Sequence, residues 1–229
     1  MRYAAIAMVL AILLSGSSDA ASAQVVESSV LERNCDAGDQ DACVDFGHRL
    51  LFSQFGDTVR AVSLLERACD AGKLEGCFKL GENFRYRNDA SRARAVPLFQ
   101  KACDGAHGDA CASLGWLYMS GRGIGRDDAR AAALSERACN LRSLSGCNQG
   151  AGWHNPLTGV LKDATRWAAY LEKLCDAHAQ PRSCLQLGLA YDIGMWVPKN
   201  ADHANELFKK SCLHGINEGV NEGCAMMRK

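Results

Sequence analysis

The sequence predicts an all-α protein, an α-solenoid of about five helix–turn–helix repeats stapled by disulfides, and three observations lead there. First, the twelve cysteines fall in pairs: Cys35 and Cys43, Cys69 and Cys77, Cys103 and Cys111, Cys139 and Cys147, Cys175 and Cys184, Cys212 and Cys224. Second, successive pairs begin 34, 34, 36, 36 and 37 residues apart, and so regular a period marks a repeat architecture. Third, the segments between the pairs carry apolar residues at helical spacing.

The elements follow in order. The chain opens with Arg2, an apolar run from Ala4 to Leu14, and the small residues Ala21, Ser22 and Ala23. This is the layout of a secretory signal peptide over 1–23, with cleavage after Ala23. The run falls far short of the ~20 apolar residues of a spanning helix, and no later segment reaches that length, so no stable membrane span is expected after cleavage. The repeat body is expected over 24–229, exported to the periplasm or secreted. Each period in it has two halves. A first helix follows the second cysteine of a pair: "CVDFGHRLL", "CFKLGENFR", "CASLGWLYM", "CNQGAGWHN" and "CLQLGLAYD". A second helix runs into the next pair: "RAVSLLERAC", "RAVPLFQKAC", "RAAALSERAC", "RWAAYLEKLC" and "HANELFKKSC". At 100° per residue, positions 0, 3, 4 and 7 after the second cysteine share one face. In the third unit these are Cys111, Leu114, Gly115 and Tyr118, and in the fifth Cys184, Leu187, Gly188 and Tyr191. Glycine recurs there at Gly47, Gly81, Gly115 and Gly188. It costs ~1 kcal/mol of helix propensity and suits a place where two helices approach closely.

The cysteine pairs are the hinges. Eight residues of unbroken helix would hold two α-carbons ~12 Å apart, whereas a disulfide spans at most ~7 Å. The chain must therefore turn between them. "DAG" after Cys35 and Cys69, and "DG" after Cys103, supply the glycine that ends a helix. One cysteine closes the second helix of a unit and its partner opens the first helix of the next. Structural zinc prefers closer C-x2-4-C spacing, and a thioredoxin-like centre needs C-x-x-C; neither occurs. Twelve cysteines allow roughly ten thousand pairings, and the period selects the neighbouring one.

These residues resemble the Sel1-like repeat, a relative of the tetratricopeptide repeat. The stretch "ACASLGWLYMSGRGIGRDDARAAALSERAC" carries the small residue and "LG" before Tyr118, the loop glycines Gly121 and Gly123, Ile124, Asp127 and an alanine-rich second helix. The version with one cysteine pair per unit is similar to the secreted Helicobacter cysteine-rich proteins. Units one and two have shortened loops, and unit four replaces "LG" with "GA" and carries Trp167 where the others have alanine. The resemblance implies a scaffold for protein interactions. It also implies an alternative, since some cysteine-rich members are described as penicillin-binding or as weak β-lactamases.

No catalytic, cofactor or metal site is expected from the residues themselves. No serine is followed three residues later by lysine, and neither Ser-Asp-Asn nor Lys-Thr-Gly occurs. The six histidines, His48, His107, His154, His178, His203 and His214, are scattered among units and read as surface or interface residues. "GRGIG" lacks the lysine and preceding strand of a phosphate loop. Asp127 and Asp128 read as helix caps. The chain balances 26 basic against 26 acidic residues, which excludes a broad electrostatic grip on nucleic acid.

A peptide or protein partner, with a cell-wall peptide among the options, fits the residues better. If positions 0, 3, 4 and 7 face the core, then 2, 5, 6 and 9 face away, and in solenoids of this type that side lines the concave surface. The strip shifts from charged to apolar along the chain, with Arg49 and Lys79 at the polar end, then Tyr86, and Trp116, Leu117, Trp153 and Leu189 as apolar anchors. The alternative is that Trp116 and Trp153 pack between adjacent units. A second feature is "FRYRNDASRARA", where Arg85, Arg87, Arg92 and Arg94 either form a solvated edge or grip a carboxylate or phosphate.

Overall fold

In the computed structural model, residues 26–52, 57–215 and 222–227 are described, and every regular element among them is a helix. The leader expected over 1–23 lies outside these residues. A first helix, α1 (26–36), precedes five helix pairs. The pairs are α2 (Gln40–Phe52) with α3 (Thr58–Asp70), α4 (Leu74–Arg85) with α5 (Asp89–Asp104), and α6 (Gly108–Ser120) with α7 (Asp128–Asn140). Next come α8 (Leu144–His154) with α9 (Ala164–Asp176), and α10 (Pro181–Ile193) with α11 (Ala201–Gly215). A short α12 (Glu222–Met226) closes the series. The chain forms two units that divide after Asn83, within α4.

In the N-terminal unit α2 packs against α3. The core is Ala42, Cys43, Val44 and Phe46 against Ala61, Leu64, Leu65 and Ala68, all buried. Gly47 sits where the helices touch: a Cβ there would lie 3.0 Å from Leu65 Cγ and 3.2 Å from the Ala61 carbonyl oxygen. The C-terminal unit repeats this contact. Added Cβ atoms at Gly115 and Gly188 would each stand 3.3 Å from the carbonyl oxygens of Ala131 and Ala204. In this unit each helix packs on the next, while α6 also lies beside α8 and α9 beside α11. First helices and second helices thus form two layers, the solenoid-like arrangement of stacked pairs.

The fourth pair solves the same packing problem differently. Leu114 and Leu187, fully buried, fill position 3 of α6 and α10. In α8 that position is Gly150, and the ring of Tyr170 from α9 occupies the space, closer than any Cβ at 150 would allow. Trp167 takes the slot that Ala131 and Ala204 hold in the neighbouring pairs, and it is 1% exposed.

All twelve cysteines are bonded, each to its neighbour in sequence, with Cα–Cα distances from 4.5 to 4.8 Å. Four hinges share one backbone device. At the first, Gly38 has φ +100°, its N–H donates to Cys35 O, and the next N–H, of Asp39, donates to Asn34 O. This is the double bond pattern of a Schellman helix end. Gly72 repeats it, with Lys73 N–H donating to Ala68 O. After Cys103 the expectation needs correction. Gly105 has φ −77°, and the left-handed residue is Ala106, at φ +68°. After Cys139 it is Arg142, at φ +63°. Bonds to Ala102 O and Ala138 O complete both motifs, so hydrogen bonds and the cross-link hold a conformation that the side chain itself disfavours. The next first helix then starts on a cap. Asp39 Oδ1 accepts from Asp41 and Ala42, His107 Nδ1 from Ala110, and Ser143 Oγ from Gly146.

Candidate interaction surface

The first helices fix where the strip residues stand. On α6 the packed face is Cys111, Leu114, Gly115 and Tyr118, all buried against α7. Trp116, turned away from it, is only half-buried. On α8 Trp153 is also half-buried, and on α10 Leu189 is exposed. Tyr86, just past the end of α4, is 73% exposed.

Leu117 departs from the expectation. It is fully buried and lines no open face. Position 6 lies about 110° from the centre of the packed face, against about 150° for position 5, so it marks the flank rather than the back of the helix. A helix in a stacked layer buries its flanks against its lateral neighbours, as α6 does beside α8. Ala190, the position-6 residue of α10, is buried in the same way, whereas Trp153, at position 6 of α8, is too large to be covered and stays half-buried.

In the N-terminal unit, the Arg49 side chain is ion-paired with Glu27, and Lys79 pairs with Glu75 at 3.1 Å while standing over the Phe78 ring. Both are tied to their own unit.

The arginine run separates into distinct roles. Arg92 donates to the Arg85 carbonyl at 3.0 Å and to the Asp89 carboxylate at 2.7 Å, fastening the end of α4 to the start of α5. Arg94 lies over the buried Phe84 ring, 4.1 Å from its centroid. Arg85 stands over two rings, 4.5 Å from the Tyr86 centroid and 5.6 Å from that of Trp116. Arg122, from the loop between α6 and α7, stands 5.9 Å from the same indole. That loop is shaped by Gly121 and Gly123, at φ +68° and +77°, and by the Asp127 N–H donating to Tyr118 O. Asp127 caps α7, accepting from Arg130 N–H at 2.9 Å, as its place in sequence predicts. Asp128 instead pairs with Arg126, whose guanidinium holds the carboxyl below the usual carboxylate range.

The histidines also divide. His107 is a cap, and His203 sits edge-on to Tyr191 between Glu172 at 3.6 Å and Glu206 at 3.7 Å. His154 is an interface residue, packed between α8 and α9, and not a surface one. It is 3% exposed, stacked on Tyr170 at 5.7 Å, and neither ring nitrogen has a hydrogen-bond partner. Burial lowers its pKa, which favours the neutral ring. Among the described residues no group of three or more His, Cys, Asp or Glu is placed to hold a metal ion, and no helix is long and apolar enough to cross a membrane.

Two features escaped the sequence reading. A groove of about 490 Å³ opens between α9 and the loop after α10, lined by Thr165, Ala168, Ala169, Glu172, Lys173, Tyr191, Trp196, Val197 and Pro198. Trp196 adopts φ +65° and stands edge-on to Trp167 at 5.6 Å. Its place in the loop is that of Gly123 in the third pair, which was the signal available. The second feature is a ladder between successive pairs. A basic residue two positions before a second-helix cysteine reaches back to the end of the preceding second helix. Arg67 donates to Cys35 O and contacts the sulfurs of the first disulfide, at 2.8 and 2.9 Å. Arg137 reaches Asp104, Lys173 the Asn140 side chain, and Lys210 Asp176 at 2.7 Å. The signal was the Asp or Asn following those later cysteines.

Comparison with known proteins places the chain. The family model described as Sel1 repeat matches residues 42–73, 74–107, 108–143 and 181–216. The stretch between the last two matches is the fourth pair, with its exchanged core. No curated protein matches the sequence. Among solved structures, a Sel1 repeat protein from Oxalobacter formigenes aligns with a TM-score of 0.59 at 21% identity, over 77% of this chain and 74% of that one. A sel1 repeat protein from Klebsiella pneumoniae aligns at 0.49 and 18% identity, over 86% and 98%. The cysteine rich protein B of Helicobacter pylori aligns at 0.30 and 21%, over 77% and 98%. At these identities the first likeness is one of fold. With its helix pairs in register and matches over more than half its length, the chain belongs to the Sel1 repeat family, whose members are in general scaffolds for protein interactions.

Proposed function

We propose that this protein is an exported scaffold that holds a peptide or protein segment on the first-helix side of its C-terminal unit, the concave side expected of such a stack. The observation that carries the reading is the exposure pattern. The core positions of α6 and α8 are buried, as are those of α10 apart from the half-buried Tyr191, whereas Trp116 and Trp153 stay half-buried and Leu189 is exposed. Large rings left partly open on a rigid layer are the composition of binding hot spots. Export follows from the leader-like start and from twelve cysteines all engaged in disulfides, a state that oxidising compartments maintain. The test is cross-linked capture of a partner from the envelope fraction by purified oxidised protein. Trp116→Ala and Trp153→Ala should each reduce it, and unchanged capture by both would overturn the reading.

Hydrolysis or binding of β-lactams is the finer alternative raised by the family resemblance. The fully buried Ser135 spends its hydroxyl on Ala132 O and Tyr170, which is an arrangement of core packing, and Ser143 spends its own on Asp109 and the Gly146 cap. Nitrocefin turnover that survived dilution and vanished with one point substitution would establish that alternative instead.

A further inference from the structure

We propose that the arginines around Trp116 make this part of the surface a docking site for an acidic peptide segment. The proposal rests on the interaction reading above and names the chemistry of the partner. Arg85, at the end of α4, and Arg122, in the loop after α6, both stand over the Trp116 indole, at 5.6 and 5.9 Å from its centroid. Arg85 also stands over the ring of Tyr86 and donates to its hydroxyl, so its part is to hold the two rings in place and add positive charge. A guanidinium held over a ring uses its face, while its donors lie in its plane, and at the exposed Arg122 a carboxylate engages them in pairs. Stacking also fixes the long side chain in advance, so less entropy is lost when an anion arrives. The backbone beneath is held as well: Arg92 clamps the Arg85 carbonyl, and Gly121 and Gly123 set the loop that carries Arg122.

The local charge agrees. From Arg85 to Arg94 the chain carries four arginines against the single acid Asp89, although the whole sequence is neutral. A confined basic spot on a neutral protein suits a few carboxylates rather than the long charged track of a nucleic acid. Tyr86, 73% exposed, and the half-buried Trp116 supply the apolar contact that a peptide chain makes between its acidic groups and that a free anion would not use.

The test is fluorescence anisotropy with a short labelled peptide rich in glutamate and phenylalanine. A lysine-for-glutamate version and an oligothymidylate serve as comparisons. The glutamate peptide should bind, weaken with added salt, and lose about tenfold or more in affinity to protein carrying Arg87→Glu and Arg122→Glu, exposed positions whose unfolding midpoint is checked in parallel. Absence of binding, indifference to the charge reversal, or equal binding of either comparison probe would overturn the proposal. The wider strip is judged separately. If Trp116→Ala and Trp153→Ala abolish capture of the envelope partner while the glutamate peptide fails to bind, only the acidic-peptide inference falls; if both leave capture intact, the strip falls.

Discussion

His154 shows what one residue reveals about the fourth pair. It follows Cys147 by seven positions, the core phase that Tyr118 and Tyr191 occupy in the pairs on either side. Its burial was therefore legible from phase, although a lone histidine by residue type alone fits a surface or an interface equally well. Burial depresses the folded pKa, with Arg166 acting the same way and Asp163 and Glu136 opposing. The unfolded chain then takes up the proton first, so stability is intact above the ordinary value of 6.5 and is lost as pH falls below it. His48 carries the same sign in the N-terminal unit, through burial and the charge of Lys79. Thermal midpoints measured between about pH 5 and 7 should fall on acidification, and His154→Phe should flatten that slope without abolishing it. The neighbouring exchange is testable in the same way. Gly150→Ala gains ~1 kcal/mol of helix propensity but drives a methyl into the Tyr170 ring, and should lose about 1–3 kcal/mol net in denaturant unfolding. In a Tyr170→Leu background the same change should become stabilising. The sequence shows that unit four differs, but that glycine and tyrosine trade volume is visible only when the two helices are packed.

At the scale of the element, the hinge is the unit of design. Cysteine spacing alone requires a turn, because continuous helix would separate the two α-carbons too far. Which residue goes left-handed was not legible, since Ala106 and Arg142 do what Gly38 and Gly72 do elsewhere. The reason is that hydrogen bonds to Ala102 O and Ala138 O, together with the covalent bond, outweigh a local cost of about 1–2 kcal/mol. Replacing Cys103 and Cys111 together by alanine should lower stability by about 2.5 kcal/mol, the chain-entropy value for so short a loop. A loss below about 1 kcal/mol would mean that backbone hydrogen bonding alone holds the hinge. The ladder between pairs should matter less. Lys210 and Asp176 are both well exposed, so a double-mutant cycle on them should give a coupling of at most ~1 kcal/mol.

For the molecule as a whole, the repeat and the all-helical class were readable from periodicity, because each pair obeys the same local rules, and the family from the loop and helix residues that resemble it. The exposure of the strip expected from phase was readable only in part. Position 5 is half-buried at Trp116 and exposed at Leu189, whereas position 6 is fully buried at Leu117 and half-buried at Trp153, because a helix in a layer has neighbours on its flanks. Small cores spread over many pairs make the covalent bonds a large share of stability, so thiol reductant should lower the urea midpoint well below that of the oxidised protein; an unchanged midpoint would show that the helix pairs stand without them. The bonds also have a consequence for how the chain matures. Most join residues only 8 or 9 apart, and none spans more than 12. Each thiol thus has its mate much nearer along the chain than any thiol of another pair, the nearest of which is 26 residues away. Such a chain can oxidise in the order in which it is threaded, with little need for reshuffling by an isomerase.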